Sequence, residues 1–442
     1  MMNDERMKRS ICQAGFALAL MLLGVAAITG YWQAVRGAAL AAREDNPRLV
    51  LAERQIPRGA ILDRNGRLLA VSQRTPDGYV RYYPEPSAAP VVGYYSLRYG
   101  LSGIEAAFDA ELRGVSGQTR WDALTDRLLH RIPTGRSVPL TIDSVVQQAA
   151  DEALGDRAGA VVVLSVPDGQ VVAMVSHPSF DPASLDRDWE RLRADPSSPL
   201  LNRATQGLYQ PGAAFQSIVL AEALSRGLVS LTDTMPINTP IALGNTSLEC
   251  ASPPLTLTLA AAFAAGCPAP FDALANKLDV ASITSAVRRW QINSSVQSFD
   301  LPTDSAQLDL ATLTDTQALR ALVLGQGALT VSPLQMATVI GTLANGGRQI
   351  GAPHLTPKAQ SVSPALTIIQ PEIASLLQSA LEDEQDMAGQ LALAVSGDRR
   401  LAWFLGFAPI TSPNWAIVVL LENGDVAACR RIAASTRARL MP

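Results

Sequence analysis

An uncharged stretch near the N-terminus constrains the fold of this chain more than any other feature. No residue between positions 10 and 35 carries a charge. A bilayer crossing takes about 20 apolar residues, and Tyr31 and Trp32 stand at the far end, where interfacial aromatic side chains concentrate. The stretch predicts that residues 10–35 form a transmembrane helix after a short cytoplasmic tail, residues 1–9.

A cleaved secretory signal is the alternative reading of this segment. Its apolar part would span only roughly 7 to 15 residues, although Ala39-Leu40-Ala41 offers a small-residue cleavage site. Positive charges flank the stretch on both sides and do not orient it. A short N-terminus inside is the simpler topology, so we expect a single-pass protein of the cell membrane with the bulk of the chain extracytoplasmic.

The composition narrows the possible functions. Charged residues make up 17% and hydrophobic residues 48% of the 442 positions, which is a globular composition. The net charge of -4 removes the electrostatic basis for binding nucleic acid. Three scattered histidines and four cysteines without a C-x-x-C spacing give no metal site, and we expect no cofactor. The sequence leaves open whether Cys250 pairs with Cys267 or Cys429.

The segment after the apolar stretch has its own pattern. Apolar runs at 60–62 and 68–70 flank Asn65-Gly66, which is a strong signal for a β-hairpin. Ser102 and Glu105 have the spacing of a capping box and predict the start of a helix. We therefore expect residues 36–137 to form a small β-rich pedestal domain.

The pattern changes near residue 138. Two β-branched runs at 160–164 and 171–175 are followed by a helical middle. Three more strands are predicted at 391–395, 401–407 and 415–422, before a last helix. This order predicts an α+β domain over residues 138–442, in which an antiparallel sheet is flanked by helices.

Eight stretches, in order, resemble class B penicillin-binding proteins, the peptidoglycan D,D-transpeptidases. Two of them read Arg58-Gly-Ala-Ile-Leu-Asp63-Arg-Asn-Gly66 and Ala402-Trp-Phe-Leu-Gly-Phe-Ala-Pro409. The others lie at 93–105, 174–182, 199–209, 325–327, 333–336 and 344–347. The resemblance implies a membrane anchor, a dimerisation-like pedestal and a transpeptidase domain with the fold shared by penicillin-binding proteins and serine β-lactamases.

That family's chemistry uses a serine three residues before a lysine, which can accept the hydroxyl proton from one helix face. Its Y-x-P-G-S-x-F-K stretch here reads Tyr209-Gln-Pro-Gly-Ala213-Ala-Phe-Gln216. Its S-x-N motif falls on Gly266-Cys267-Pro268, and its K-[TS]-G strand, whose lysine helps to hold the substrate carboxylate, falls on Val395-Ser396-Gly397. No S-x-x-K occurs around any of the chain's three lysines.

These replacements predict a pseudoenzyme rather than an enzyme. Removing the nucleophile of a serine hydrolase costs on the order of 10^6 in kcat. We expect no intact catalytic residue, and we expect a chain that works in peptidoglycan synthesis by binding or regulating partner proteins. The vestigial positions are Ala213, Gln216, Gly266, Pro268, Val395, Ser396 and Gly397.

Two alternatives remain. The chain could be an active or β-lactam-binding D,D-transpeptidase with a non-standard nucleophile, for which Cys267, Ser217 and Ser396 are candidates. The groove could also bind stem peptides or β-lactams weakly without cutting them.

The resemblance further implies the membrane and a glycosyltransferase of the SEDS type, or another cell-wall synthesis protein, as partners. The pedestal residues Arg54, Arg58, Asp63 and Arg64 are the candidates for that contact. The identity of the partner, the choice between division and elongation, and the oligomeric state stay open.

Overall fold

A computed structural model describes most of the chain, in two compact units. One unit comprises Met1–Pro57 and Arg74–Val80, and the other Arg58–Gln73 and Arg81–Pro442. The residues described are 2–32, 51, 53–119, 121–122, 125, 129, 131–235, 240–292, 294, 296, 299–305, 308, 316–357, 366–381 and 386–441.

The first unit carries the apolar helix. Helix α1 runs over Met2–Tyr31, and its part Gln13–Tyr31, with a mean hydropathy of 1.9, is long and apolar enough to cross a membrane. The helix begins at Met2, before the predicted residue 10, and so includes the charged segment 2–9. Residues 33–35 of the predicted span lie outside the described residues.

Short elements follow the apolar helix along the chain, before the first strand of the main sheet. The predicted hairpin around Asn65-Gly66 is present, and Gly66 takes the left-handed conformation that its turn needs, at φ 81°. The bounds are β1 Ile61–Leu62, β2 Leu68–Thr75, β3 Gly78–Tyr82, α2 Ala89–Val92, β4 Tyr95–Ser96, β5 Gly100–Leu101, α3 Gly103–Ala107, α4 Asp109–Leu112 and β6 Val138–Pro139.

Asp63 fastens this hairpin to the following domain. Its buried carboxylate accepts hydrogen bonds from the backbone N–H groups of Asn65 and Arg67, and from the hydroxyl of Ser144 at 2.6 Å. Burial alone would raise the pKa of Asp63, but these hydrogen bonds outweigh it and hold the pKa below the ordinary 3.8. The stability that they give is therefore present above pH 3.8 and is lost only as the pH falls through the lowered pKa.

Glu105 is the centre of a buried ion cluster. Its side chain is fully buried and accepts hydrogen bonds from Arg58 and Arg81, while Arg58 also bonds Asp109 at 2.6 Å. The predicted capping box is wrong, because Ser102 makes no side-chain cap and accepts the backbone N–H of Tyr94 instead. Glu105 cannot reach back to Ser102 while it balances two guanidinium groups.

The larger domain is built on a five-stranded antiparallel sheet of order β11-β12-β13-β7-β8. Its strands are β7 Gly159–Ser165, β8 Val171–His177, β11 Ala388–Ser396, β12 Arg399–Ala408 and β13 Trp415–Glu422, and a separate hairpin pairs β9 Ile241–Leu243 with β10 Thr246–Leu248. The helices are α5 Ser144–Leu154, α6 Leu185–Ala194, α7 Gln216–Ser225, α8 Leu259–Ala264, α9 Ala269–Ala275, α10 Val280–Arg289, α11 Thr316–Val323, α12 Pro333–Ala344, α13 Pro371–Leu381 and α14 Val426–Leu440.

Both faces of this sheet are covered. Val161 and Val163 of β7 belong to a cluster with residues of α5 and α14, whereas Val162 and Leu164 belong to the large core that includes α12. Adjacent residues of a strand point to opposite faces, so a continuous apolar run is what a doubly covered strand needs. The predicted α+β architecture is confirmed.

Helix α12 shows how local sequence sets an element's ends. Ser332 and Gln335 form a complete capping box, and Pro333 occupies the first turn. Asn345 ends the helix before two glycines with positive φ. Both ends of this helix are therefore set by residues that adjoin them in the sequence.

Substituting Glu105→Gln should lower the free energy of unfolding by about 3–5 kcal/mol, because it leaves two buried guanidinium groups without a counter-charge. Denaturant unfolding of the full chain in detergent, followed by circular dichroism, measures this. The exposed Arg64→Gln variant is the control and should stay within about 0.5 kcal/mol of the parent. Equal stability of the two variants would contradict the structural role of Glu105.

Candidate active site

The predicted site positions converge on the edge strand β11. One pocket is lined by Ala213, Gln216, Gly266, Pro268 and Val395 together. The cavity is narrow, at about 30 Å³. Its remaining lining residues are Ser247, Leu248, Glu249, Leu324, Gln326, Leu393, Ala394 and Arg400.

Ala213 lies on a 3-10 turn, Gly212–Phe215, immediately before α7. Gly212 has a φ of 53°, and a Cβ there would come within 2.1 Å of the carbonyl oxygen of Leu393. Its N–H donates to the carbonyl of Gly325 at 2.8 Å. Only glycine allows this turn to sit between β11 and the 325–327 loop, so the position of Ala213 against the sheet edge is fixed by backbone packing.

Gln216 takes part in a buried network of side-chain amides. Its Nε2 donates to the carbonyl of Cys267 at 3.0 Å, and its Oε1 accepts from Nε2 of Gln390 at 3.2 Å. Gln390, fully buried on β11, also donates to the carbonyl of Ala213 at 2.9 Å and accepts the hydroxyl of Ser217. Neutral amides with their hydrogen bonds made can stay buried at low cost, so the network ties α7 to β11 without a charge.

Cys267 forms a disulfide with Cys250, and Cys429 is a buried free thiol. The bond joins the segment after β10 to the segment that carries Gly266 and Pro268. This settles the pairing that the sequence leaves open. The reading of Cys267 as a candidate nucleophile is wrong, because a disulfide sulfur carries no thiolate.

The third motif position lies where β11 turns into β12. Val395 pairs with Arg400 across the hairpin, and Gly397 has a φ of 59° in the turn. Ser396 is exposed and stands outside the lining of the pocket, as does Gly397. Of the seven vestigial positions, the structure therefore brings five to the pocket and leaves these two outside its lining.

Tyr209 anchors the chain that leads into the site. Its hydroxyl donates to Glu422 at 2.9 Å, Arg203 donates to the same carboxylate oxygen, and its ring packs edge-on against Trp403. Burial, together with the charge of Glu422, raises the pKa of Tyr209 above its usual range. Tyr209 is therefore a neutral hydrogen-bond donor that holds the stretch before Gly212 on the sheet.

His177 does not serve this pocket. It ends β8, the other edge strand of the sheet, where its Nε2 lies 2.6 Å from Asp151. It is absent from the pocket lining, so it cannot be the base for a nucleophile there.

The four predicted partner-binding residues differ in exposure. Arg58 and Asp63 are buried and bonded inside their unit, whereas Arg54 and Arg64 are exposed. A protein partner can touch the second pair directly. Substitution of the buried pair would act through stability instead.

Sequence reasoning missed several lining residues, namely Ser247, Glu249, Gln326 and Arg400, as well as the buried Gln390. A glutamine at an inward position of an otherwise apolar strand was a signal for Gln390, because buried amides need partners. The others come from loops and hairpins whose neighbours depend on tertiary folding.

The comparisons with known proteins cover nearly the whole chain. The penicillin binding protein transpeptidase domain matches residues 159–441, and the penicillin binding protein A dimerisation domain matches residues 58–138. The chain belongs to the class B penicillin-binding protein transpeptidase family. The expected fold is thereby confirmed, with its dimerisation domain and an N-terminal apolar helix.

Named relatives and solved structures agree with this membership. The chain is 33% identical to the peptidoglycan D,D-transpeptidase PbpA of Mycolicibacterium smegmatis, over 94% of this chain and 93% of the relative, and 31% identical to that of Mycobacterium tuberculosis over the same shares. A ceftriaxone acyl-enzyme complex of penicillin-binding protein A from M. tuberculosis matches with a TM-score of 0.78 and 29% identity, over 89% of this chain and all of that one.

These comparisons contradict the prediction that the chain is not an enzyme. The relatives are named peptidoglycan D,D-transpeptidases, and a solved relative forms an acyl-enzyme with a β-lactam. They point to an active enzyme, so the prediction is wrong. The prediction assumed that the loss of three local motifs means the loss of catalytic chemistry. Other polar groups, however, line the same pocket.

Thiol titration checks the disulfide. Reduction of the denatured chain should raise the number of titratable thiols by two, and peptides that contain Cys250 and Cys267 should be found linked before reduction. Cys429 should resist alkylation at pH 8 in the native chain, since burial raises the pKa of its thiol to about 12. A linked peptide that contains Cys429 would contradict the assignment.

The amide network makes a separate prediction. Substituting Gln390→Leu should lower the free energy of unfolding by about 1–3 kcal/mol, because Gln216 and Ser217 lose a buried partner. Thermal or denaturant unfolding measures this, with Gln148→Leu on the exposed face of α5 as the matched control. Equal free energies of unfolding for the two variants would contradict a stabilising role of Gln390.

Proposed function

We propose that this chain is a D,D-transpeptidase of peptidoglycan synthesis that binds D,D-peptides and β-lactams in the pocket beside Ala213. The observation that carries the proposal is 33% identity to a named peptidoglycan D,D-transpeptidase over 94% of the chain. Residue 213 is an alanine and offers no hydroxyl. The proposal therefore requires a non-standard nucleophile.

The pocket favours Ser247 for this role. Cys267 is held in a disulfide, Ser217 is buried with its hydroxyl bonded to Gln390, and Ser396 stands outside the lining. Ser247 is exposed on β10 and is the serine among the lining residues of the described chain. It lies on the hairpin that the disulfide ties down.

Glu249 is the candidate proton carrier. It follows Ser247 by two positions, and both residues line the pocket, as alternate residues of an extended segment can. In the proposed step, the Ser247 oxygen bonds to the substrate carbonyl carbon while the carbon–nitrogen bond breaks. The hydroxyl proton passes through the Glu249 carboxylate to the leaving nitrogen. An acceptor amine or water then takes the acyl group.

Anchoring and partners complete the proposal. Helix α1 would hold the enzyme at the membrane, with the bulk of the chain extracytoplasmic, a pedestal over residues 36–137 and the transpeptidase domain over 138–442. The exposed Arg54 and Arg64 would contact a SEDS-type glycosyltransferase or another cell-wall synthesis protein by electrostatic attraction.

Labelling with a fluorescent penicillin tests the nucleophile. The full chain in detergent should take a covalent label, and Ser247→Ala should abolish it, because the acyl bond has no oxygen to form on. Thr246→Ala is the matched control, since it removes a hydroxyl from the same strand outside the pocket lining, and it should label like the parent. Mass spectrometry of the labelled peptide identifies the residue.

An Ala213→Ser, Gln216→Lys double variant supplies a positive control for access to the pocket. A label on this variant but none on the parent chain would contradict the proposed activity. A label on the parent that maps to another residue would keep the activity and reject Ser247.

A further inference from the structure

We infer that a second cavity, within the larger unit, binds an uncharged and mostly apolar small molecule that carries one hydrogen-bonding group. The cavity measures about 720 Å³, and small-molecule sites span roughly 300–1,000 Å³. Among the described residues, it shares no lining residue with the pocket beside Ala213. The inference goes beyond the proposed function and does not depend on it.

The cavity lies where two parts of the chain meet. One part of its lining comes from α2, α3 and the residues that join them, inside the segment that the dimerisation domain matches. The rest comes from the loop after β8 and from residues around 199–206 and 299–302, inside the transpeptidase match. All of them belong to one compact unit. A ligand held here would stabilise the contact between the two parts by mass action.

Backbone packing and hydrogen bonds hold the walls of this cavity in place. Gly93 and Gly103 both have positive φ values, and a Cβ on Gly93 would lie 2.1 Å from the carbonyl oxygen of Ser102. Nδ2 of Asn202 donates to the carbonyl of Pro90 at 2.9 Å, which ties the loop around residue 202 to α2. The cavity is therefore formed before any ligand binds, as small-molecule sites usually are.

Apolar side chains and a single charge characterise the lining. Leu101, Phe180 and Phe299 are half-buried, and a ligand that covered them would remove apolar surface from water. Asp300 is the one charged side chain among the described lining residues, and its carboxylate accepts the N–H of Leu355 at 3.0 Å. An anionic ligand would meet this carboxylate with no cation to offset the repulsion. The lining therefore favours an uncharged ligand.

Thr205 supplies the hydrogen-bonding group. It is 1% exposed and lines the cavity, and its hydroxyl has no hydrogen-bond partner within the part of the chain that the structure describes. The hydroxyl groups of Ser102 and Ser176, which line the same cavity, are already bonded. A buried hydroxyl without a partner costs free energy, and a hydroxyl or carbonyl of the ligand would recover it. A change of the χ1 rotamer can present the Thr205 hydroxyl to such a group.

Equilibrium dialysis of the full chain in detergent, with detergent alone as the background, tests this. The probes are naphthol, methylnaphthalene and naphthoate, which share one ring system and carry a hydroxyl, a methyl or a carboxylate at the same position. The parent should bind naphthol about fivefold more tightly than methylnaphthalene, as one added hydrogen bond predicts. Naphthoate should bind most weakly, because Asp300 repels it.

Two pairs of variants locate the site. Thr205→Val should abolish the preference for naphthol over methylnaphthalene, because a methyl group replaces the hydroxyl, whereas Thr205→Ser should keep it. Ala107→Trp should weaken the binding of both probes about tenfold, because the indole occupies the cavity. Ala110→Trp is its matched control, since residue 110 is exposed on α4 and stands outside the lining, and it should bind like the parent. Equal melting temperatures show that the variants are folded.

Three results would overturn the inference: no saturable binding by the parent above the detergent background, a preference for naphthol that survives in Thr205→Val, or equal binding by Ala107→Trp and Ala110→Trp. Naphthoate bound as tightly as naphthol would overturn the assignment to an uncharged ligand. Penicillin labelling reports on the other pocket, so the proposed function stands or falls separately.

Discussion

Burial of both faces of the central sheet is the constraint on which the rest of the larger domain depends. Helices α5 and α14 cover one face and the core around α12 covers the other. A ligand can then reach the sheet only at an edge strand. One edge, β8, ends in the His177–Asp151 pair, and the other, β11, carries the pocket. The place of the site follows from how the sheet is covered.

The pocket combines a buried layer of neutral side chains with charged side chains that are exposed to water. The buried layer behind Ala213 consists of amides that satisfy one another, so no ion has to be desolvated there. The charged groups, Glu249 and Arg400, stand on the rim, where water still solvates them. The scaffold can thus hold its shape independently of the serine and lysine that the family pattern expects.

The sequence predicts those strands and helix ends that are determined by residues adjacent in the chain. The strands of the sheet follow from apolar runs, and the ends of α12 follow from Ser332 and Asn345, because caps depend on a few adjacent residues. Glu105 was assigned to a cap because its partner Arg58 is 47 residues away, and no local pattern shows such a pair.

The site was predictable only in part. The resemblance to the family located Ala213, Gln216 and Val395 in one pocket, since aligned motifs carry positions with them. Ser247 and Arg400 reach that pocket through a hairpin and a cross-strand register, which sequence spacing does not encode. The inference of inactivity used only the motif positions, and the comparisons overturned it.

The Cys250–Cys267 bond has a consequence for where this protein matures. Thiols pair in oxidising compartments and stay reduced in the cytosol. One wall of the pocket is therefore covalently closed only in an oxidising compartment, whereas a reduced chain would hold that wall by non-covalent contacts alone. The two sulfur atoms thus make completion of the site depend on the redox state of the compartment that holds it.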